Sequence, residues 1–197
     1  YKNVNNVYTK NLVLSDDIIH NGDTNTKIRF PAADTITAET GGSERLRILS
    51  TGGITFNGDT ATANALDDYE EGTFTPTTNQ GSFTSAEGKY TKIGNQVTVW
   101  IYIPTISNTT STDFFNVQSL PFSGDANMVQ ATGSVMIRYI NAASPDGVNF
   151  STYQDGGWSY LRIYACRDDG NNYEAVRHCD FTQTSPGLRI CHTYQAA

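Results

Sequence analysis

The chain has 197 residues, of which 38% are hydrophobic, and its thirteen Lys plus Arg against twenty Asp plus Glu leave a net charge of −7. That length and composition allow one real core and leave much polar chain outside it, while the acidic balance argues against a nucleic-acid phosphate backbone or an anionic membrane as partner. No apolar run approaches the roughly 18–20 residues of a membrane span, and the opening "YKNVNNVYTK" has no apolar signal region, so a soluble protein without membrane insertion is expected.

From Asn11 to Leu66 the chain reads as short apolar pulses, "LVL", "II", "KIRF", "LRIL" and "GITF", separated by Asn, Gly, Asp and Thr. These predict short strands between turns. The tetrapeptide "NGDT" occurs at Asn21–Thr24 and again at Asn57–Thr60, and Asn-Gly is a strong two-residue turn signal. The segment is too poor in large apolar residues to enclose a core of its own, so its strands are expected to lean on a neighbour. Three identical chains around an axis would supply one.

Next comes "ALDDYEEGTFTPTT", Ala65–Thr78, with Asp67, Asp68, Glu70 and Glu71 gathered around Tyr69. A glycosidase needs one carboxyl held in an environment that raises its pKa and a second across a cleft. Four acids in five residues at a change of sequence habit instead predict an exposed joint over 67–71, with a structural cation site on a trimer axis as the lesser alternative.

From Gly72 the strands lengthen and alternate with period two. In "NQVTVWIYIP", Val97, Val99, Ile101 and Ile103 form one face, and Thr98, Trp100 and Tyr102 the other. In "WSYLRIYAC", Leu161, Ile163 and Ala165 oppose Trp158, Tyr160, Arg162, Tyr164 and Cys166. The aliphatic faces predict a sandwich core, the aromatic and arginine faces a subunit interface or binding surface. Further strands are expected at "GKYTKI", "GSVMIRYI", "AVRHCDF" and "LRICHTY", and no long amphipathic helix. The expected fold is all-β: a short β-rich stem over 1–66, the joint, and an antiparallel β-sandwich head over 72–197.

Cys166, Cys179 and Cys191 cannot all pair and are expected as free thiols, small and buried in strands. His178 beside Cys179, and Cys191 beside His192, would face opposite ways in a strand, so neither doublet chelates readily and no metal or other cofactor is expected. Arg162, Arg177 and Arg189 share strand parity with the cysteines, which suggests an arginine-bearing face paired with acids such as Asp180 or Glu174.

The run "IHNGDTNTKIRFPAADTITAETGGSERLRILSTGG" resembles the repeated shaft-like segment of bacteriophage tail-fibre proteins. "DDYEEGTFTPT", "GKYTKIGNQVTV" and "SLPFSG" resemble the start of the head domain in the same family, especially in phages of marine bacteria. The resemblance covers the chain from about Ile18 to the C-terminus. It implies a parallel homotrimer on the virion, with a slender stem, and a head that touches a polysaccharide or protein on the bacterial surface. It supplies no receptor motif that carries over residue by residue.

Candidate contact residues therefore come from this chain alone. Carbohydrate binding favours an aromatic plane beside hydrogen-bonding groups, and "YQDGGWSY" offers Tyr153, Asp155, Trp158 and Tyr160 around two glycines. The polar loop "CRDDGNNYEA" adds Asp168, Asn171, Asn172 and Tyr173. The competing expectation for Trp158 is burial in the core or between subunits. No Gly-x-Ser-x-Gly, P-loop, His-Glu-x-x-His or dinucleotide motif is present, so binding rather than catalysis is expected. Two alternatives remain: a purely structural fibre or capsid-decorating protein docking on other virion proteins, and a polysaccharide depolymerase using acids such as Asp155, Asp168 and Asp169.

Overall fold

The computed structural model describes residues 10–11, 13–141, 148–167, 172–182, 185 and 187–197. The chain divides into two compact units between Asp67 and Asp68. Both are built from antiparallel sheets, and the described residues contain only two single-turn 3₁₀ segments, Thr62–Asn64 and His178–Asp180.

The N-terminal unit is a five-stranded meander of β1 (Asp17–His20), β2 (Asp23–Arg29), β3 (Ile36–Thr40), β4 (Ser43–Ile48) and β5 (Ile54–Phe56), in that spatial order. Four of the five expected pulses are strand. The exception is "LVL", whose Leu12 lies outside the described residues and whose Val13 and Leu14 are in no strand. Strand β3 was not expected, because "ITAET" carries only Ile36 and Ala38 as apolar residues.

Register assigns the two faces of this sheet. Ile18 pairs Ile28, Ile28 pairs Ala38, Ala38 pairs Leu46 and Leu46 pairs Phe56, so one row of apolar side chains crosses all five strands. Ile36, Ile48 and Ile54 form a second row on the same face. The opposite face carries Lys27 between Asp17 at 2.8 Å and Glu39 at 3.7 Å, with Arg29 reaching the same two acids. Asp17 is held below the usual carboxylate range, first by its hydrogen bond from Lys27.

In the C-terminal unit a single sheet of ten strands runs β6 (Tyr69–Phe74), β9 (Glu87–Ile93), β10 (Gln96–Ile103), β17 (Leu188–Gln195), β13 (Ala131–Met136), β14 (Val148–Gln154), β15 (Leu161–Arg167), β12 (Asn116–Gln118) and β7 (Thr77–Thr78), with β16 (Glu174–Ala175) also on β15. A separate two-stranded piece pairs β8 (Phe83–Thr84) with β11 (Thr105–Ile106). Strands β6 and β7 end opposite edges of the path, yet only Thr75 and Pro76 separate them in sequence. The edges must therefore approach one another, and the sheet curls into a half-barrel. Pro76, without an N–H, is suited to the break between them.

Curling gives the sheet an inside. Val97, Val99, Ile101 and Ile103 are buried there, as are Leu161, Ile163 and Ala165. Each such aliphatic contributes about 1.5–3 kcal/mol relative to exposure. Phe115 sits among them fully enclosed, 4.8 Å from the Phe181 ring and 5.0 Å from the His178 ring, both edge-on. Two glycines admit cross-strand rings between β6 and β9: a Cβ on Gly72 would stand 2.6 Å from the Tyr90 ring, and one on Gly88 2.5 Å from Phe74.

Two sequence expectations change here. The acidic stretch is not a loose joint: from Tyr69 it is the edge strand β6, with Glu70 opposite Lys92 and Glu71 opposite Thr91. Asp68 ion-pairs Lys92, and the Tyr90 and Tyr69 hydroxyls donate to Glu70 and Glu71. Paired backbone on β9 overrides the polarity that suggested a linker. Likewise "AVRHCDF" is not a strand beyond Ala175. The Arg177 N–H donates to the Asp180 carboxylate at 2.7 Å and the chain turns through a 3₁₀ segment that points His178 inward.

Candidate functional site

The hairpin of β14 and β15 positions the site. Tyr153 lies opposite Arg162, and Ser151 opposite Tyr164, so all four occupy the outer face, whereas Thr152 and Ile163 point into the core. Between the strands, the Trp158 N–H donates to the Asp155 carbonyl at 3.2 Å, closing a turn with Gly157 at φ +76. That position needs glycine. The turn is anchored underneath: the Gly124 N–H and the buried Gln154 amide both donate to the Trp158 carbonyl, at 2.9 and 2.7 Å.

This scaffold holds a continuous aromatic strip. Tyr173 meets Tyr164 edge-on at 5.1 Å, Tyr164 meets Tyr153 at 5.4 Å, and Tyr153 meets Trp158 at 5.7 Å. Trp158 then stacks on Tyr160 at 4.4 Å with only 16° between the planes. The Arg162 guanidinium lies 5.1 Å from Trp158 and 4.7 Å from Phe114, and the Arg177 guanidinium lies 4.5 Å from Phe114. The Arg162 Nε donates to Asn116 Oδ1 at 3.1 Å, which fixes the plane of the fork.

Beside the tyrosines is an open groove of about 310 Å³ lined by Tyr153, Tyr164, Tyr173, Ser151, Thr132 and Gln130. Rings and hydroxyl or amide groups on one concave wall are what a sugar needs, since its C–H faces stack on aromatics and its hydroxyls exchange hydrogen bonds. Burial, with the Asp155 charge next, raises the Tyr153 phenol above its ordinary value, so it stays a neutral donor through any physiological pH.

Of the residues expected at a binding site, Tyr153, Trp158, Tyr160 and Tyr173 come together in the strip, with Tyr173 64% exposed. Asp155 is half-buried and spends Oδ1 on the Gly156 N–H at 2.9 Å. Asn172 is exposed, while Asp168, Asp169 and Asn171 lie outside the described residues. Trp158 is on the outer face rather than in the core, because it shares strand parity with Arg162 and not with Leu161. Sequence reasoning did not select Tyr164, Arg162, Phe114 and Arg177 as site residues. For the first two the signal was available in the parity of "WSYLRIYAC". Phe114 reaches the strip only because β12 pairs with β15, a contact no local pattern announces.

The arginine-bearing face also differs from expectation in its partners. Arg162 and Arg177 lie against Phe114, and Arg189 lies 5.0 Å from the Tyr102 ring, while the ion pairs among the described residues belong to Lys27, Arg29, Arg47 and Lys92. Tyr102 and Trp100, the latter 46% exposed, form a smaller outer patch with Lys89.

The thiols and imidazoles do not converge. All three cysteines are free and, contrary to expectation, exposed, because each falls on the outer side of its element. His178 and His192 point inward: His178 Nδ1 lies 3.1 Å from the Asn108 carbonyl and Nε2 3.2 Å from Asn79 Oδ1, and His192 Nδ1 lies 2.9 Å from Thr152 Oγ1. Among the described residues no group of three His, Cys, Asp or Glu is arranged to hold a metal ion. No known protein family, curated protein or solved structure matches this chain.

Proposed function

We propose that the chain is a non-catalytic binding appendage of a bacteriophage virion. Its C-terminal unit is the sandwich-type head that grips a polysaccharide on the bacterial surface, and its N-terminal sheet is the stem that assembles three copies. The observation that carries the binding role is the outer strip from Tyr173 to Trp158, in which five aromatic rings abut beside a hydroxyl-lined groove. The phage assignment rests on the sequence resemblance. The stem role is supported by the apolar rows of the N-terminal sheet, which a second copy of the same face would cover. Three heads on one stem would multiply a weak individual contact by avidity.

The test is adsorption to a susceptible bacterium. Trp158→Ala and Tyr173→Ala are expected to weaken attachment of the purified protein to intact cells by at least about tenfold together, given roughly 1–3 kcal/mol per stacking ring lost, with oligomeric mass and circular dichroism unchanged. Attachment equal to the parent protein would remove this strip as the receptor site.

A further inference from the structure

We infer that the ligand of the strip is an acidic polysaccharide, one bearing a carboxylate or sulfate that docks on Arg162 and Arg177 while a neighbouring sugar ring stacks on the Trp158 and Tyr160 end. This inference rests on the glycan-binding reading above and adds the chemical class of its ligand.

Three observations lead to it. First, two cations share one ring: the guanidinium carbons lie 4.7 and 4.5 Å from the centre of Phe114, so no more than about 9 Å separates them. Like charges at that distance repel, and the repulsion is not spent on neighbouring acids. Asp180 is bonded to the Arg177 backbone N–H, and Asp113 accepts from the Gln80 amide. An anion between the two forks would turn this repulsion into attraction.

Second, the forks are pre-set. The Arg162 guanidinium is held between Phe114 and Trp158 with Nε on Asn116, which leaves its two Nη groups at the rim of the stack. Arg177 is tied through Nη1 to the Thr112 carbonyl, leaving Nη2. A planar fork fixed in this way matches a carboxylate or sulfate by paired N–H···O bonds and loses little freedom on binding.

Third, this cationic end stands on a chain whose net charge is −7. A local positive site on an acidic protein selects anionic groups at close range without drawing the whole molecule onto polyanions. The groove at the tyrosine end, with Ser151, Thr132 and Gln130, is by contrast uncharged among its lining residues and suits sugar hydroxyls.

The experiment is a titration of the intact protein, followed by tryptophan fluorescence, with polygalacturonate, alginate and hyaluronan, with the same three chains after reduction of their carboxyls to alcohols, and with neutral dextran. The expected result is binding to at least one acidic chain and loss of at least about tenfold on carboxyl reduction, the loss expected for charge-assisted hydrogen bonds. Arg162→Gln and Arg177→Gln should reproduce that loss on the acidic chain and be silent on its reduced form. Arg162→Lys, which keeps the charge and surrenders the flat fork, should fall between. Neutral and reduced chains bound as tightly as acidic ones, with Arg177→Gln unchanged, would overturn the acidic class and leave glycan binding standing. Binding to none of the seven chains would count against both.

Discussion

In the N-terminal sheet Ile28 and Phe56 stand in the open, 44% and 53% exposed, while Lys27, Arg29 and Glu39 on the other face are half-buried in a shared ion-pair network. In the C-terminal unit Ile101 and Ile163 are enclosed and Lys89 and Arg189 lie outside. Both units alternate with period two, so the difference does not lie in local pattern. It lies in how far the strands extend. Ten strands can curl until the aliphatic faces meet, whereas five short ones cannot, and their apolar rows are left for a partner to cover.

The strongest way to break this comparison is to truncate an aromatic residue in each unit. Phe115→Ala should cost about 3–5 kcal/mol, as expected for a fully enclosed ring, and lower the melting temperature of the C-terminal unit with no change in mass. Phe56→Ala combined with Ile28→Ser should do the opposite: little change in the unfolding of the C-terminal unit, and a fall in oligomeric mass by light scattering. Equal effects on stability and none on mass would contradict the role assigned to the N-terminal sheet.

Acid should single out the C-terminal unit next. Burial lowers the His192 pKa to about 4, and its ring lies across Gly133, where a Cβ would stand 2.8 Å from Nδ1. The folded state thus disfavours the charged imidazole, so His192 contributes no penalty above its unfolded pKa near 6.5. As the pH falls toward 4 the unfolded chain takes up the proton first, and stability drops by up to about 3 kcal/mol. His178, lowered chiefly by burial, adds to the same slope. Thermal unfolding between pH 7 and pH 4 checks this, and His192→Gln should flatten the curve.

The ion pairs of the N-terminal sheet should matter least. Lys27→Met is expected to shift its melting less than any change above, with a difference that shrinks in high salt, because solvent screens such pairs.

The strands of the C-terminal unit were legible where alternation was strong, as in Val97–Ile103 and Leu161–Ala165, and so was the split between their faces. Strand β3 was not, since "ITAET" takes its place from pairing with β2 and β4 rather than from its own apolar content. The acidic stretch misled for the same reason: Glu70 and Glu71 read as solvated chain, but the rings of Tyr90 and Phe74 lying over Gly72 and Gly88 fasten β6 to its neighbour. Half of the binding strip followed from parity around Trp158. The other half, Phe114 and Arg177, depends on a pairing between segments some 45 residues apart in the chain, between Asn116 and Arg162.

The most direct test of the central claim is competition: purified protein against intact particles for attachment to susceptible cells, run with the parent chain, with Trp158→Ala and with the Phe56→Ala, Ile28→Ser pair. The parent protein is expected to block attachment. The strip variant should keep its mass and fail to block, and the sheet variant should block only at much higher concentration because avidity is lost. Undiminished particle attachment in saturating parent protein would contradict the account.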